Sequence, residues 1–224
     1  MTALTGEREI SIGPERERIS GTLTVPAQPH GGVIFAHGSG SSRFSSRNRF
    51  VAQVLQKSQI ATLLLDLLTP SEDAIDAQTA QFRFDVPLLA RRLVAATDWH
   101  HENLPGLPIG YFGASTGAAA ALVGAAERPN LVKAVVSRGG RPDLAGSALS
   151  RVEAPTLLIV GGRDTEVLAL NELAARTLRC EHEIRIVTNA THLFEEPGAL
   201  EQVAGLATQW FSSHFDHPSV EVPR

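Results

Sequence analysis

The chain has 224 residues, 43% of them hydrophobic and 20% charged, which is enough apolar content for a sizeable core in one α/β unit spanning 1–224. Its net charge of -4 is spread without a basic tract, which argues against a nucleic-acid partner, and the single cysteine, Cys180, excludes an internal disulfide or a CxxC metal or redox motif. No run approaches the roughly 18 consecutive apolar residues of a membrane span, and the opening segment MTALTGEREISIGPERERIS lacks an apolar run of signal-peptide length, so the expectation is a soluble cytoplasmic protein with no membrane partner.

In chain order, the pattern predicts strands over 9–12 and 19–25, separated by Gly13-Pro14 and polar enough to form an antiparallel hairpin at a sheet edge. A strand over 32–36 leads into a helix over 47–56, and a strand over 61–66 is followed by a helix over 86–100. A strand over 108–113 runs into an alanine-rich helix over 116–127. Strands over 133–137 and 156–160, a helix over 168–178, a strand over 183–187 and a helix over 200–215 complete the series. The middle strands, such as Val33-Ile34-Phe35 and Leu157-Leu158-Ile159, are apolar at every position, as strands covered on both faces are. The expected fold is therefore α/β: a doubly wound, mostly parallel sheet of about eight strands flanked by helices, whose ligands bind beyond the carboxyl ends of the strands.

The residues at those ends carry the chemistry. Ser115 stands in Gly113-Ala114-Ser115-Thr116-Gly117, between an apolar strand and a helix. A strand-to-helix corner this tight needs very small neighbours on either side of the corner residue, and it lifts that residue's side chain above the sheet at a helix N-terminus. A serine there is also a good helix N-cap, so the pattern alone leaves both readings open. A serine nucleophile needs a base and an orienting acid. Asp164 follows the strand over 156–160 in Gly161-Gly162-Arg163-Asp164, and His192 follows the strand over 183–187 in Ala190-Thr191-His192. Asp164 also suits a turn, His192 also suits a cap, and Asp143 competes as the acid. Upstream, His37-Gly38-Ser39-Gly40 offers backbone N–H groups, so Ser39 and Thr116 are the candidate oxyanion donors, with His37 bracing the turn.

HGSG, GASTG, GGRD and ATH, each after a strand and in that order, resemble the α/β-hydrolase pattern, with closest likeness to its dienelactone-hydrolase-like branch. The resemblance runs from about residue 31 to 215 and implies an α/β-hydrolase fold with Ser115 as nucleophile, His192 as base and then acid, and Asp164 as orienting carboxylate. The dienelactone hydrolases proper carry cysteine where this chain has Ser115, so the branch does not transfer its substrate. The expected activity is hydrolysis of small carboxylic esters or lactones through an acyl-enzyme. Thioesters or amides would need only a different pocket, and a non-catalytic binding protein on the same fold is the alternative of another class.

The stretch from 137 to 156 is too short for a cap of two or more helices of about ten residues, so no cap domain is expected. Arg43, Arg47, Arg138, Arg141 and Arg163 cluster near the expected mouth. Arg138 is the candidate for binding a substrate carboxylate or phosphate, against the reading that these arginines only hold loops. Phe44, Leu193 and Phe194 are candidates for an apolar acyl pocket, against ordinary packing. No motif implies a metal or cofactor, and the oligomeric state is open.

Overall fold

The computed structural model describes residues 6–215; the ends of the expected unit, 1–5 and 216–224, lie outside the described residues. The elements are β1 (Gly6–Ile12), β2 (Ile19–Val25), β3 (Gly31–Ala36), α1 (Ser46–Lys57), β4 (Ile60–Leu65), α2 (Pro70–Thr79), α3 (Val86–Asn103), β5 (Ile109–Ala114), α4 (Thr116–Glu127), β6 (Val132–Arg138), a 3-10 segment (Pro142–Arg151), β7 (Thr156–Gly161), α5 (Thr165–Ala175), β8 (His182–Val187) and α6 (Ala199–Phe215). They build one eight-stranded sheet in the order β1-β2-β4-β3-β5-β6-β7-β8. Strands β3 to β8 run parallel, while β1 and β2 are antiparallel additions on one side.

Side-chain alternation explains both kinds of strand. In β2, Ile19, Gly21, Leu23 and Val25 are buried while the residues between them are half-exposed. In β3, β4, β5 and β7 every residue is buried, because helices cover both faces. Ile34, Leu63, Tyr111, Val135 and Leu158 pack with Leu89, Leu93 and Leu122 of α3 and α4 on one face. Val33, Phe35, Phe112, Val136 and Ile159 pack with Val51, Leu55 and Phe211 of α1 and α6 on the other. Each such fully buried large side chain contributes roughly 1.5–3 kcal/mol. Alanines dominate α4, whose burial on nearly all sides leaves no room for larger groups.

Helix α2 is not expected from the apolar pattern, because its segment PSEDAIDAQT buries only Asp76. Its start is nonetheless written locally. Pro70 opens the helix, Thr69 Oγ1 accepts from the Glu72 N–H at 3.2 Å, and the Glu72 carboxylate accepts from the Thr69 N–H at 2.7 Å. Glu72 also accepts from Arg92 of α3 at 2.9 Å, and Arg92 reaches Glu17 at 3.0 Å, so one buried guanidinium ties α2 and α3 to the turn after β1. Between β6 and β7 lies only the 3-10 segment, broken at Gly146, in keeping with the absence of a cap domain there. No helix among the described residues is long and apolar enough to cross a membrane.

The strand order fixes where a ligand site can form. From β3 the chain passes through α1 to β4 on one side, and from β4 it passes through α2 and α3 to β5 on the other side of β3. The carboxyl ends of β3 and β5 are therefore the point where the order reverses, and a crevice opens there.

Candidate active site

Ser115 occupies the corner between β5 and α4 at φ 50 and ψ -122, a backbone conformation that ordinary side chains avoid and that costs on the order of 1–3 kcal/mol. Its surroundings enforce that geometry. A Cβ on Gly113 would sit 2.8 Å from the Ala118 nitrogen, and one on Gly117 would strike the carbonyls of Ala36 and His37. Only glycine lets the strand and helix backbones pass this closely. The corner is strapped to the end of β6 and the turn after it, with the Ser115 N–H donating to the Arg138 carbonyl at 3.3 Å and the Ser115 carbonyl accepting from the Arg141 N–H at 3.1 Å. The Ser115 side chain is half-buried and makes no capping hydrogen bond, so the N-cap reading of this serine does not hold.

The same is true of Asp164. It stands at the N-cap position of α5, yet its carboxylate does not cap the helix; Oδ2 instead accepts from His192 Nδ1 at 2.6 Å. That bond fixes the proton on Nδ1 and leaves Nε2 as the basic nitrogen. The rival Asp143 is held by Arg141 through paired bonds of 2.8 Å. The loop carrying His192 is anchored by the Arg163 N–H to the Ala190 carbonyl at 2.9 Å and by Glu196, both of whose oxygens accept from the Thr191 N–H at 3.1 Å. Glu196 and its role are not legible in any motif.

The segment after β6 joins the two parts. Arg138 bonds Ser115, and a Cβ on the next residue, Gly139, would lie 3.1 Å from the His192 carbonyl oxygen and 3.5 Å from His192 Nδ1. From the other side, a Cβ on Gly38 would lie 3.1 Å from Ser115 Cβ, so the HGSG turn faces the serine. No hydrogen bond links Ser115 Oγ to His192 among the described residues.

Ser39 and Thr116 meet across the β3–β5 crevice, their hydroxyl oxygens 3.0 Å apart. Among the described residues no backbone hydrogen bond engages the N–H of either, and both stand beside the positive end of α4. His37 braces this turn as expected: Nδ1 donates to the Gly38 carbonyl at 2.9 Å and Nε2 accepts from the Leu67 N–H at 3.1 Å. Burial holds its pKa below the usual histidine value, outweighing the Gly38 bond and the charges of Asp66 and Asp73. With both nitrogens engaged and the ring neutral, His37 has no capacity to act as the base.

The expected substrate-binding side chains divide. Phe44 and Leu193 are exposed on the rim, with Arg43 stacked 4.2 Å from the Phe44 ring centroid. Phe194 does not line an open pocket: at φ 56 it belongs to the core beneath α6, 2% exposed. Arg138 is not at the mouth either. Alternation along β6 places it on the same face as Ala134 and Val136, so it lies under the His192 loop, 7% exposed. Among the described residues no group of three or more His, Cys, Asp or Glu side chains gathers as a metal site.

The family and the fold are shared with known proteins. The model of the dienelactone hydrolase family matches residues 49–215. A solved dienelactone hydrolase from Anabaena variabilis is 56% identical and superposes with a TM-score of 0.91, covering 95% of this chain and 99% of that one. Two Mycobacterium tuberculosis proteins, provisionally named phosphoribosyl transferases, are each 54% identical over 214 residues, which is 95% of this chain. The chain spans about half the length of these curated relatives, 47%. Est1E from Butyrivibrio proteoclasticus shares the fold at a TM-score of 0.77 with 14% identity, covering 95% of this chain and 100% of that one.

Proposed function

The chain belongs to the dienelactone hydrolase family, and from that premise we propose that it is a serine hydrolase that cleaves small carboxylic esters or lactones through an acyl-enzyme. The observation that carries this reading is the pairing of a strained, uncapped Ser115 with a His192 whose ring is held by Asp164 at 2.6 Å. Neither side chain serves the local helix end at which it or its partner stands, so local structure does not explain why they are there.

In the proposed cycle Ser115 Oγ attacks the acyl carbon while its proton passes to His192 Nε2, and Asp164 stabilises the resulting imidazolium. The carbonyl oxygen, now negative, is held by the N–H groups of Ser39 and Thr116; losing one such donor typically costs about 10²–10³ in rate. His192 returns the proton to the departing alkoxide, leaving an ester on Ser115. Water then attacks that ester, gives a proton to His192, and the collapse releases the acid and restores the serine hydroxyl.

The longer Mycobacterium tuberculosis relatives carry a transferase name, but this chain spans 47% of their length, so that name is not carried over to it. The test is hydrolysis of a panel of p-nitrophenyl esters, lactones and a thioester by wild-type protein and by Ser115→Ala. The variant is expected to lose about 10⁴–10⁶ in kcat on whichever substrate is turned over. A Ser115→Ala protein as active as the wild type refutes the reading.

A further inference from the structure

The two outer strands of the sheet, β1 and β8, are built differently. At the two ends of β8, the carbonyls of Glu181 and Val187 accept from the Thr156 and Gly162 N–H groups on the β7 side, both at 2.9 Å. The ladder between them is parallel and in unbroken register, so the backbone groups of the odd-numbered residues turn towards β7. Those of His182, Ile184 and Ile186 turn outward, where no strand pairs with them among the described residues. Such an outward row is a template for another strand, and β8 has neither a proline nor a bulge to blunt it.

Side chains alternate along this strand. Glu183 and Arg185 lie on the α6 face, beside an open groove lined by Leu157, Leu206 and Trp210, and they pair with each other at 2.8 Å while about half exposed. Ile184 packs against the core cluster on the other face, and Ile186, on that same face, is 52% exposed. A twofold axis perpendicular to the sheet leaves every side chain on its own face and sets the strand antiparallel to its copy. Level with Ile184, that axis puts Glu183 of each copy opposite Arg185 of the other. Shifted by one residue either way, it puts Glu183 against Glu183 or Arg185 against Arg185. At the other edge, an axis at the middle of β1 puts Glu9 against Glu9.

We propose that the outer edge of β8 is a homodimer interface, in which two copies join antiparallel about Ile184 into one continuous sheet. His182 then faces Ile186 of the other copy, Ile184 faces its own counterpart, and each facing pair exchanges two N–H···O bonds. Glu183 and Arg185 fall at the positions between, where facing side chains approach most closely, so charges of alternating sign close up along one face. On the opposite face Ile184 and Ile186 of both copies cover one another, which removes from water the apolar surface that a single chain leaves exposed. The interface is isologous and closes at two copies. It lies at the far side of the sheet from β1 and does not depend on Ser115 being a nucleophile.

The experiment is sedimentation velocity over a range of micromolar concentrations, in which the wild-type protein is expected to form a concentration-dependent dimer. Arg185→Glu and Glu183→Arg each set like charges opposite one another at both contacts. Each is expected to weaken dimerisation about tenfold or more with circular dichroism unchanged, since both side chains are half exposed; either variant suffices if the other does not fold. The double variant Glu183→Arg/Arg185→Glu restores opposite charges at both contacts and is expected to dimerise like the wild type. So is a mixture of the two single variants, in which one chain brings two acids and the other two bases. A wild-type protein that stays monomeric, or a dimer that the single variants form as tightly as the wild type, overturns the interface. A double variant and a mixture that both stay monomeric overturn the pairing about Ile184.

Discussion

Replacing Ser115 by glycine should make the protein more stable while abolishing its activity. The residue sits at φ 50 and ψ -122, a region that glycine enters freely and serine does not, so the native state carries on the order of 1–3 kcal/mol of backbone strain there. Glycine removes that strain and costs about 0.5–1 kcal/mol through the greater freedom of the unfolded chain. The half-buried hydroxyl makes no capping bond whose loss must be counted. The net gain is about 1 kcal/mol, within a range of roughly 0–2.5 kcal/mol, and for a chain of 150–250 residues each kcal/mol raises Tm by roughly 2–4 °C. Ser115→Ala provides the control, since alanine removes the hydroxyl and keeps the strained Cβ. Urea unfolding and calorimetry of the three proteins should place Ser115→Gly above both others in midpoint, at unchanged m-value. If Ser115→Ala gains as much as Ser115→Gly, or if Ser115→Gly is the least stable of the three, the argument from backbone strain is wrong.

Asp164→Asn keeps the shape of the side chain but removes the charge that orients His192, and kcat should fall by about 10³–10⁴ while circular dichroism stays unchanged. A loss below tenfold would assign Asp164 a structural role. His100 is buried and its pKa is pushed down to about 4, first by burial and then by the charge of His101. Its unfolded value is about 6.5, so between those limits the unfolded chain binds a proton that the folded chain does not, and stability falls as pH drops from about 6.5 towards 4. At about 1.4 kcal/mol per pH unit this reaches roughly 3 kcal/mol by pH 4, and urea midpoints of wild type and His100→Leu at pH 7 and 4.5 should show the variant losing less. An equal loss in both proteins would remove His100 from the account. Glu72→Ala breaks the cap of α2 and takes one of two acids from the buried Arg92, which should cost roughly 2–4 kcal/mol in chemical unfolding. A change under about 0.5 kcal/mol, the size expected of an ordinary surface substitution, would contradict this.

Apolar runs reveal β3, β5 and β7 because a strand buried on both faces has no polar position to hide the signal. The strand-to-helix corner is legible for a similar reason: steric demand on Gly113 and Gly117 is local, so it is visible in the sequence around Ser115. The pairing of Asp164 with His192 follows from both standing at carboxyl ends of neighbouring parallel strands. What periodicity misses is held by polar chemistry. Helix α2 turns on the Thr69–Glu72 cap and buries almost nothing, and α5 starts at Thr165, earlier than the apolar pattern suggests, because Asp164 ends the preceding loop. Motif spacing puts Arg138 and Phe194 at an open mouth because it locates only a backbone position. Which way a side chain points depends on strand alternation at 138 and on a positive φ at 194.

Covalent labelling reads whether Ser115 is an activated nucleophile, whatever the natural substrate is. Wild-type protein incubated with a fluorophosphonate probe should gain the mass of one adduct, with peptide mapping locating it on Ser115, and the His192→Ala protein should label far more slowly. A folded wild-type protein that stays unmodified, or one whose adduct maps elsewhere, would contradict the account.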